Sequence, residues 1–151
     1  MLLVELGKLQ KQAWVAFYVS HMVLSRKIES ALDAAGQPSL EVYDVLLRLE
    51  LTDGHGLKMS ELASHILYSR SGLTRLVDRL VKLGWIERMA CPKDRRSIYA
   101  RLTPAGLTAR EAAWPVYRAA IQEHFGSKIS EAEANEVARV FGRFTDGLVV
   151  D

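Results

Sequence analysis

The feature that most constrains this chain is a change of hydrophobic period at Gly84. Before it, "SRSGLTRLVDRL" (69–80) places Leu73, Leu76, Val77 and Leu80 at three- and four-residue steps. At 100° per residue these fall on one side of a helix, with Ser71, Thr74, Arg75, Asp78 and Lys82 on the other. After it, Trp85–Ala90 and Ser97–Leu102 are short, and the second alternates, with Ile98, Ala100 and Leu102 on one side and Tyr99 and Arg101 on the other. Between them CPKDRR holds a proline and four charges. Helix, then two short strands around a basic tip, leaves few arrangements open.

The flanks supply the rest. Leu6, Leu9, Ala13, Phe17, His21, Leu24, Ile28 and Leu32 predict a long amphipathic helix that stops at Gly36. Pro38 and Ser39 open a second helix carrying Val42, Leu46 and Leu49, which breaks in the loop-like run 52–56. A short third helix is expected from about Ser60 to Leu67, and with the helix beginning at Ser69 it makes a helix-turn-helix unit. Thr103-Pro104 starts another helix, expected to reach about Phe125 and to kink at Pro115, which lacks a backbone donor. Ser130 and Glu133 form a capping box for a last helix with Ala134, Val137, Phe141, Phe144 and Leu148 on a narrow stripe. Such terminal helices can pack on their own domain or on a second copy. The expected fold is mainly α with a small β-hairpin, in one domain: 37–103 forms a winged helix-turn-helix, and 1–36 and 104–151 are arms.

Composition enters through its distribution. The net charge of +2 says little, but from Arg70 to Arg101 nine Lys/Arg face three acids, so the remainder is net acidic. A cationic centre is either a polyanion-binding patch or a solvated charged face. The helix favours the first, because its buried side fixes it while the other side presents donors; a solvated helix would tolerate these residues but would not need the small Ser69, Ser71 and Gly72 at its start. Ser69, Arg70, Ser71, Thr74, Arg75 and Arg79 are the candidate contacts. An α-helix fits the major groove of B-DNA, where arginine reads guanine and short hydroxyl residues reach phosphates or base edges. On the tip, Arg95 and Arg96 are candidates for the minor groove, with Asp94 close enough to hold one of them by a charge-assisted hydrogen bond, and Lys93 is a further candidate DNA contact.

The stretch MSELASHILYSRSGLTRLVDRLVKLGWIER, followed by DRRSIYARLTPAG, resembles the multiple antibiotic resistance regulator (MarR) family of bacterial transcription factors. The D-x-R of the wing, Asp94 and Arg96, with Leu102-Thr103 and Gly106 at the family's spacing, is its most specific part. The resemblance implies a homodimeric repressor or activator on a pseudo-palindromic operator. It implies that the 69–84 helix reads the major groove, that Arg96 enters the minor groove and that Asp94 orients it. It further implies that 1–36 and 104–151 are dimerisation elements, and that a small aromatic or phenolic effector alters DNA affinity from between the two parts. Phe17, His21, Tyr43, Trp114 and Tyr117 could line its pocket, or be core or dimer interface.

Other classes find less support. No nucleophile-elbow, zinc-protease or phosphate-loop pattern is present, so no catalytic residue and no cofactor is expected. His21, His55, His65 and His124 are scattered, giving no metal-site signal. Cys91, the single cysteine, has no partner for an internal disulfide; beside Pro92 it is an ordinary thiol or one made acidic by basic neighbours. No apolar run is long enough to span a bilayer, and the N-terminal stretch lacks a basic region and a cleavage site, so a cytoplasmic protein is expected. A winged helix used for protein contact, or a DNA-binding protein without a ligand, are the alternatives.

Overall fold

The computed structural model describes residues 5–65, 70–90 and 97–145. Helix α1 (Lys8–Ala34) is followed by α2 (Leu40–Glu50), strand β1 (Gly56–Lys58), α3 (Met59–His65), α4 (Arg70–Lys82), β2 (Ile86–Ala90), β3 (Ile98–Leu102), α5 (Pro104–His124) and α6 (Glu131–Phe141). Ser39 caps α2, its hydroxyl accepting from the Val42 amide. Thr103 caps α5 by accepting from Gly106 N–H, and the Ser130–Glu133 capping box starts α6. One helix runs through Pro115.

Two findings depart from the sequence expectations. The run 52–56 is more than a loop: after a single 3-10 turn at Asp53–His55, Gly56 begins β1. β1 pairs antiparallel with β3, so the hairpin is part of a three-stranded sheet of order β1-β3-β2. Ile98, expected inward with Ala100 and Leu102, is 49% exposed. At this end of β3 the side chain lines an open cleft with Met59, Ser60 and Thr74 instead of the closed core that holds Ala100 and Leu102.

The main core fills the centre. Val45, Leu46 and Leu49 of α2, Leu62 of α3, Leu73, Leu76, Val77 and Leu80 of α4, and Ile86, Ala100 and Leu102 of the sheet form one buried cluster. A second, smaller cluster joins Ile28 and Leu32 of α1 to Tyr43 of α2 and Ala113 and Ala120 of α5. Between these parts the chain is tied at the end of α4. Gly84 turns with φ 72°, a left-handed conformation that suits glycine. Its carbonyl accepts from the Thr103 hydroxyl at 2.7 Å, and the Trp85 carbonyl accepts from Thr103 N–H at 3.1 Å. Gly106 packs so closely that a Cβ there would lie 2.1 Å from the Trp85 carbonyl oxygen. The start of α5 is thereby locked to the root of the sheet.

Candidate nucleic-acid interface

Helix α4 presents what its inward residues leave free. With Leu73, Val77 and Leu80 at 1% exposure or less, the helix cannot rotate without opening the core. Thr74, Arg75, Arg79 and Lys82 are consequently held in solvent on the opposite side. Arg70 and Ser71 open the helix. Ser69 lies outside the described residues, as do Lys93, Asp94, Arg95, Arg96 and Cys91. Strands β2 and β3 pair as far as Ala90 and Ile98.

Asp78, predicted on the presenting face of α4, has a role the sequence did not reveal. Its carboxylate accepts from the Arg88 guanidinium of β2 at 2.5 Å. One turn of α4 is therefore tied to β2. Arg101 lies 3.8 Å from Glu87 across the same strand pair. Among the described residues of the centre Arg88 and Arg101 thus have carboxylate partners, while Arg75, Arg79 and Lys82 stand outward on α4. The signal available in the sequence was the tight turn at Gly84, which returns β2 alongside α4.

A second feature lies where the winged part meets α5. Arg110 pairs with Glu50, sixty residues away, their side chains 14% and 21% exposed. Burial opposes the charge on Arg110, but the Glu50 carboxylate and the Tyr43 hydroxyl outweigh it and hold the guanidinium above its ordinary pKa. Tyr43 is itself pushed up by burial, against the pull of Arg110. Its ring meets Tyr117 edge-on at 4.8 Å, and Tyr117 meets Trp114 at 6.0 Å. Burial also raises the Tyr117 pKa. The five predicted pocket residues fall into two groups. Tyr43, Tyr117 and Trp114 form this ladder, while Phe17 and His21 stack on α1 at 6.3 Å beside Phe141 of α6. Among the described residues no ring contact joins the groups.

These elements define a winged helix-turn-helix protein. A MarR family model matches residues 38–97, from the turn before α2 to the residue before β3. The chain resembles that family in sequence over its centre and in fold over nearly its whole length. The transcriptional repressor MprA of Escherichia coli K12 is 38% identical over 65 residues, 43% of this chain and 37% of the relative's length. Among solved structures, Sco3205 of Streptomyces coelicolor, a MarR family transcriptional regulator in complex with DNA, superposes with a TM-score of 0.85 at 23% identity, covering 97% of this chain and 92% of that one. BpsR of Bordetella bronchiseptica, whose DNA binding is regulated by 6-hydroxynicotinic acid, gives 0.76 at 16% identity, covering 89% and 98%. At such identities the structural likeness is one of fold.

Proposed function

We propose that this chain is a DNA-binding transcriptional regulator that grips a pseudo-palindromic operator as a homodimer, without catalytic activity, in the cytoplasm. The observation that carries the reading is α4: a helix locked by its buried side and offering Thr74, Arg75, Arg79 and Lys82 to solvent. Held this way the helix enters the major groove, with Arg75 and Arg79 at base edges or phosphates and Ser69, Arg70 and Ser71 near the backbone. Arg96, oriented by Asp94 and assisted by Lys93 and Arg95, takes the adjacent minor groove.

Dimerisation is supported by α1. Trp14, Val15, Phe17, Tyr18, Val19, Met22 and Val23 are all 40% exposed or more, as is Phe144 at the end of the chain's last described turn. A contiguous apolar face of this kind marks an interaction surface. A two-fold axis through the arms of 1–36 and 104–151 puts two α4 helices in successive major grooves, about 34 Å apart. The effector reading rests on the ladder of Tyr43, Tyr117 and Trp114 at the joint between arms and centre, with Phe17 and His21 further along α1. A small aromatic acid there would change DNA affinity only by favouring one relative placement of the two α4 helices.

Electrophoretic shift of the DNA upstream of the chain's own gene, with and without aromatic acids, tests the reading. Specific retardation is expected, and Arg75→Ala is expected to cost about 1–3 kcal/mol and relax preference at one base step. Arg96→Ala lowers affinity several-fold with helicity intact. Equal weak binding to all DNA, unchanged in both variants, contradicts the reading.

A further inference from the structure

Between α4 and the wing root lies an open cleft of about 470 Å³, lined by Lys58, Met59, Ser60, Thr74, Arg88, Ser97 and Ile98. Four separate pieces of chain converge on it: the end of β1 with the first turn of α3, the outward face of α4, β2, and the entry to β3. Its chemistry is divided. Lys58 and Arg88 bring charge, Ser60, Thr74 and Ser97 bring hydroxyls, and Met59 and Ile98 bring apolar surface. Among the described lining residues there are two cations and no carboxylate. Two acids beside it are engaged: Asp78 accepts from Arg88, and the Glu61 carboxylate accepts from the Lys58 backbone N–H at 3.1 Å.

Such a lining fits a polymer that alternates anionic diester and apolar ring. Cations and hydroxyls bind phosphate oxygens, while a deoxyribose face packs on aliphatic side chains. The exposure of Ile98, out of place for a strand residue in a core, then has a use. The cleft's position adds a constraint. In a duplex whose major groove holds α4, the backbone of one strand separates that groove from the adjacent minor groove, and the trough lies beside α4, between it and the facing ends of β2 and β3, where that backbone would pass.

We propose that the cleft seats the sugar-phosphate backbone of that strand, with Arg88, aimed by Asp78, and Lys58 as its phosphate contacts. The inference rests on the DNA-binding reading above and names a site within it that reads no bases. Arg88 has five N–H donors in a rigid fork, so a guanidinium anchored on Asp78 still offers donors to a phosphate. The Asp78 carboxylate fixes the angle of that fork and joins α4 to β2, so the phosphate contact and the base-reading helix move together.

The test is the slope of log affinity against log salt for the full chain on a random-sequence duplex, followed by fluorescence anisotropy. Each phosphate neutralised contributes about −0.9 to that slope. Arg88→Met is expected to make it shallower by about 0.9 per protomer bound, with affinity for operator and random DNA falling by the same factor, whereas Arg88→Lys keeps the slope. If Arg88→Met loses native helicity, Lys58→Met decides, because the Lys58 backbone bond to Glu61 survives that change. Slopes unchanged in the folded variants overturn the inference while leaving the regulator reading intact. A flat slope in the unaltered chain removes that reading, and the inference with it. Competition for the site by polyglutamate but not by duplex DNA would assign the cleft to an acidic protein and also overturn it.

Discussion

The centre and the arms bury apolar surface in different ways. Among the described residues, thirteen form the closed cluster of α2, α3, α4 and the sheet, and five form the cluster that ties α1 to α2 and α5. The centre is complete within one chain. Among the described residues the arms are more open: α1 is buried only at Ile28 and Leu32, and Trp14, Val15, Phe17, Tyr18, Val19, Met22 and Val23 face solvent. A region that closes on itself holds side chains at fixed angles, which is what reading a groove requires. Under the proposed function a second copy covers the open face, and two such arms set the distance between two fixed α4 helices.

The comparison breaks most sharply at Leu80. It is fully buried in α4, so Leu80→Ala should destabilise the chain by about 2–5 kcal/mol in denaturant titration at any protein concentration. Val19→Ala on the exposed face of α1 should instead have an effect that depends on concentration, weakening self-association and leaving the dilute chain unaltered. If the two substitutions behave alike, the division into closed centre and open arms is wrong.

The joint between the regions comes next. Glu50→Ala leaves the Arg110 guanidinium largely buried without its carboxylate, and should cost about 3 kcal/mol in thermal or chemical unfolding. Gly106→Ala forces a methyl against the Trp85 carbonyl and should cost about 1–3 kcal/mol, loosening α5 from the wing root. Hydrogen exchange at Trp85 and Thr103 distinguishes that local opening from global loss of stability.

The smallest effect belongs to the far arm. Ser130→Ala removes the cap of α6 and should cost about 1 kcal/mol. The backbone and hydroxyl hydrogen bonds of Ser130 hold the Glu133 pKa below the ordinary carboxylate range. A carboxylate lowered on folding contributes stability above its unfolded pKa and loses it as pH falls through the folded value. Fraying of α6 by circular dichroism should therefore appear on acidification below pH 4–5, about the unfolded pKa of glutamate, be reduced in Ser130→Ala, which keeps the backbone N–H bond to the carboxylate, and be absent from Glu133→Gln.

What could be read in the sequence follows from the range of the interactions. The helices of the centre, their caps and the inward residues of α4 were legible because periodicity and capping act within a few residues. β1 was not, because three residues are too few to show alternation and their partner in β3 lies some forty positions away. Asp78 was assigned to the presenting face correctly, yet its tie to Arg88 depends on the turn between them. Glu50 and Arg110 are ordinary helix-surface residues by local pattern, and only the meeting of α2 and α5 buries them together. The stripe predicted for α1 shares Leu9 and Phe17 with its exposed apolar residues but not Trp14, Val15, Tyr18, Val19, Met22 or Val23, because a single helical period follows the side that packs on the same chain and says nothing of a second apolar side.

Selection of duplexes from a random-sequence pool by the full chain tests the central claim most directly, since it presupposes no operator. The account predicts enrichment of an inverted repeat whose half-sites are centred about one helical turn apart, the spacing a two-fold pair of α4 helices imposes. Recovery of a single unpaired half-site, or of no sequence at all, would contradict it.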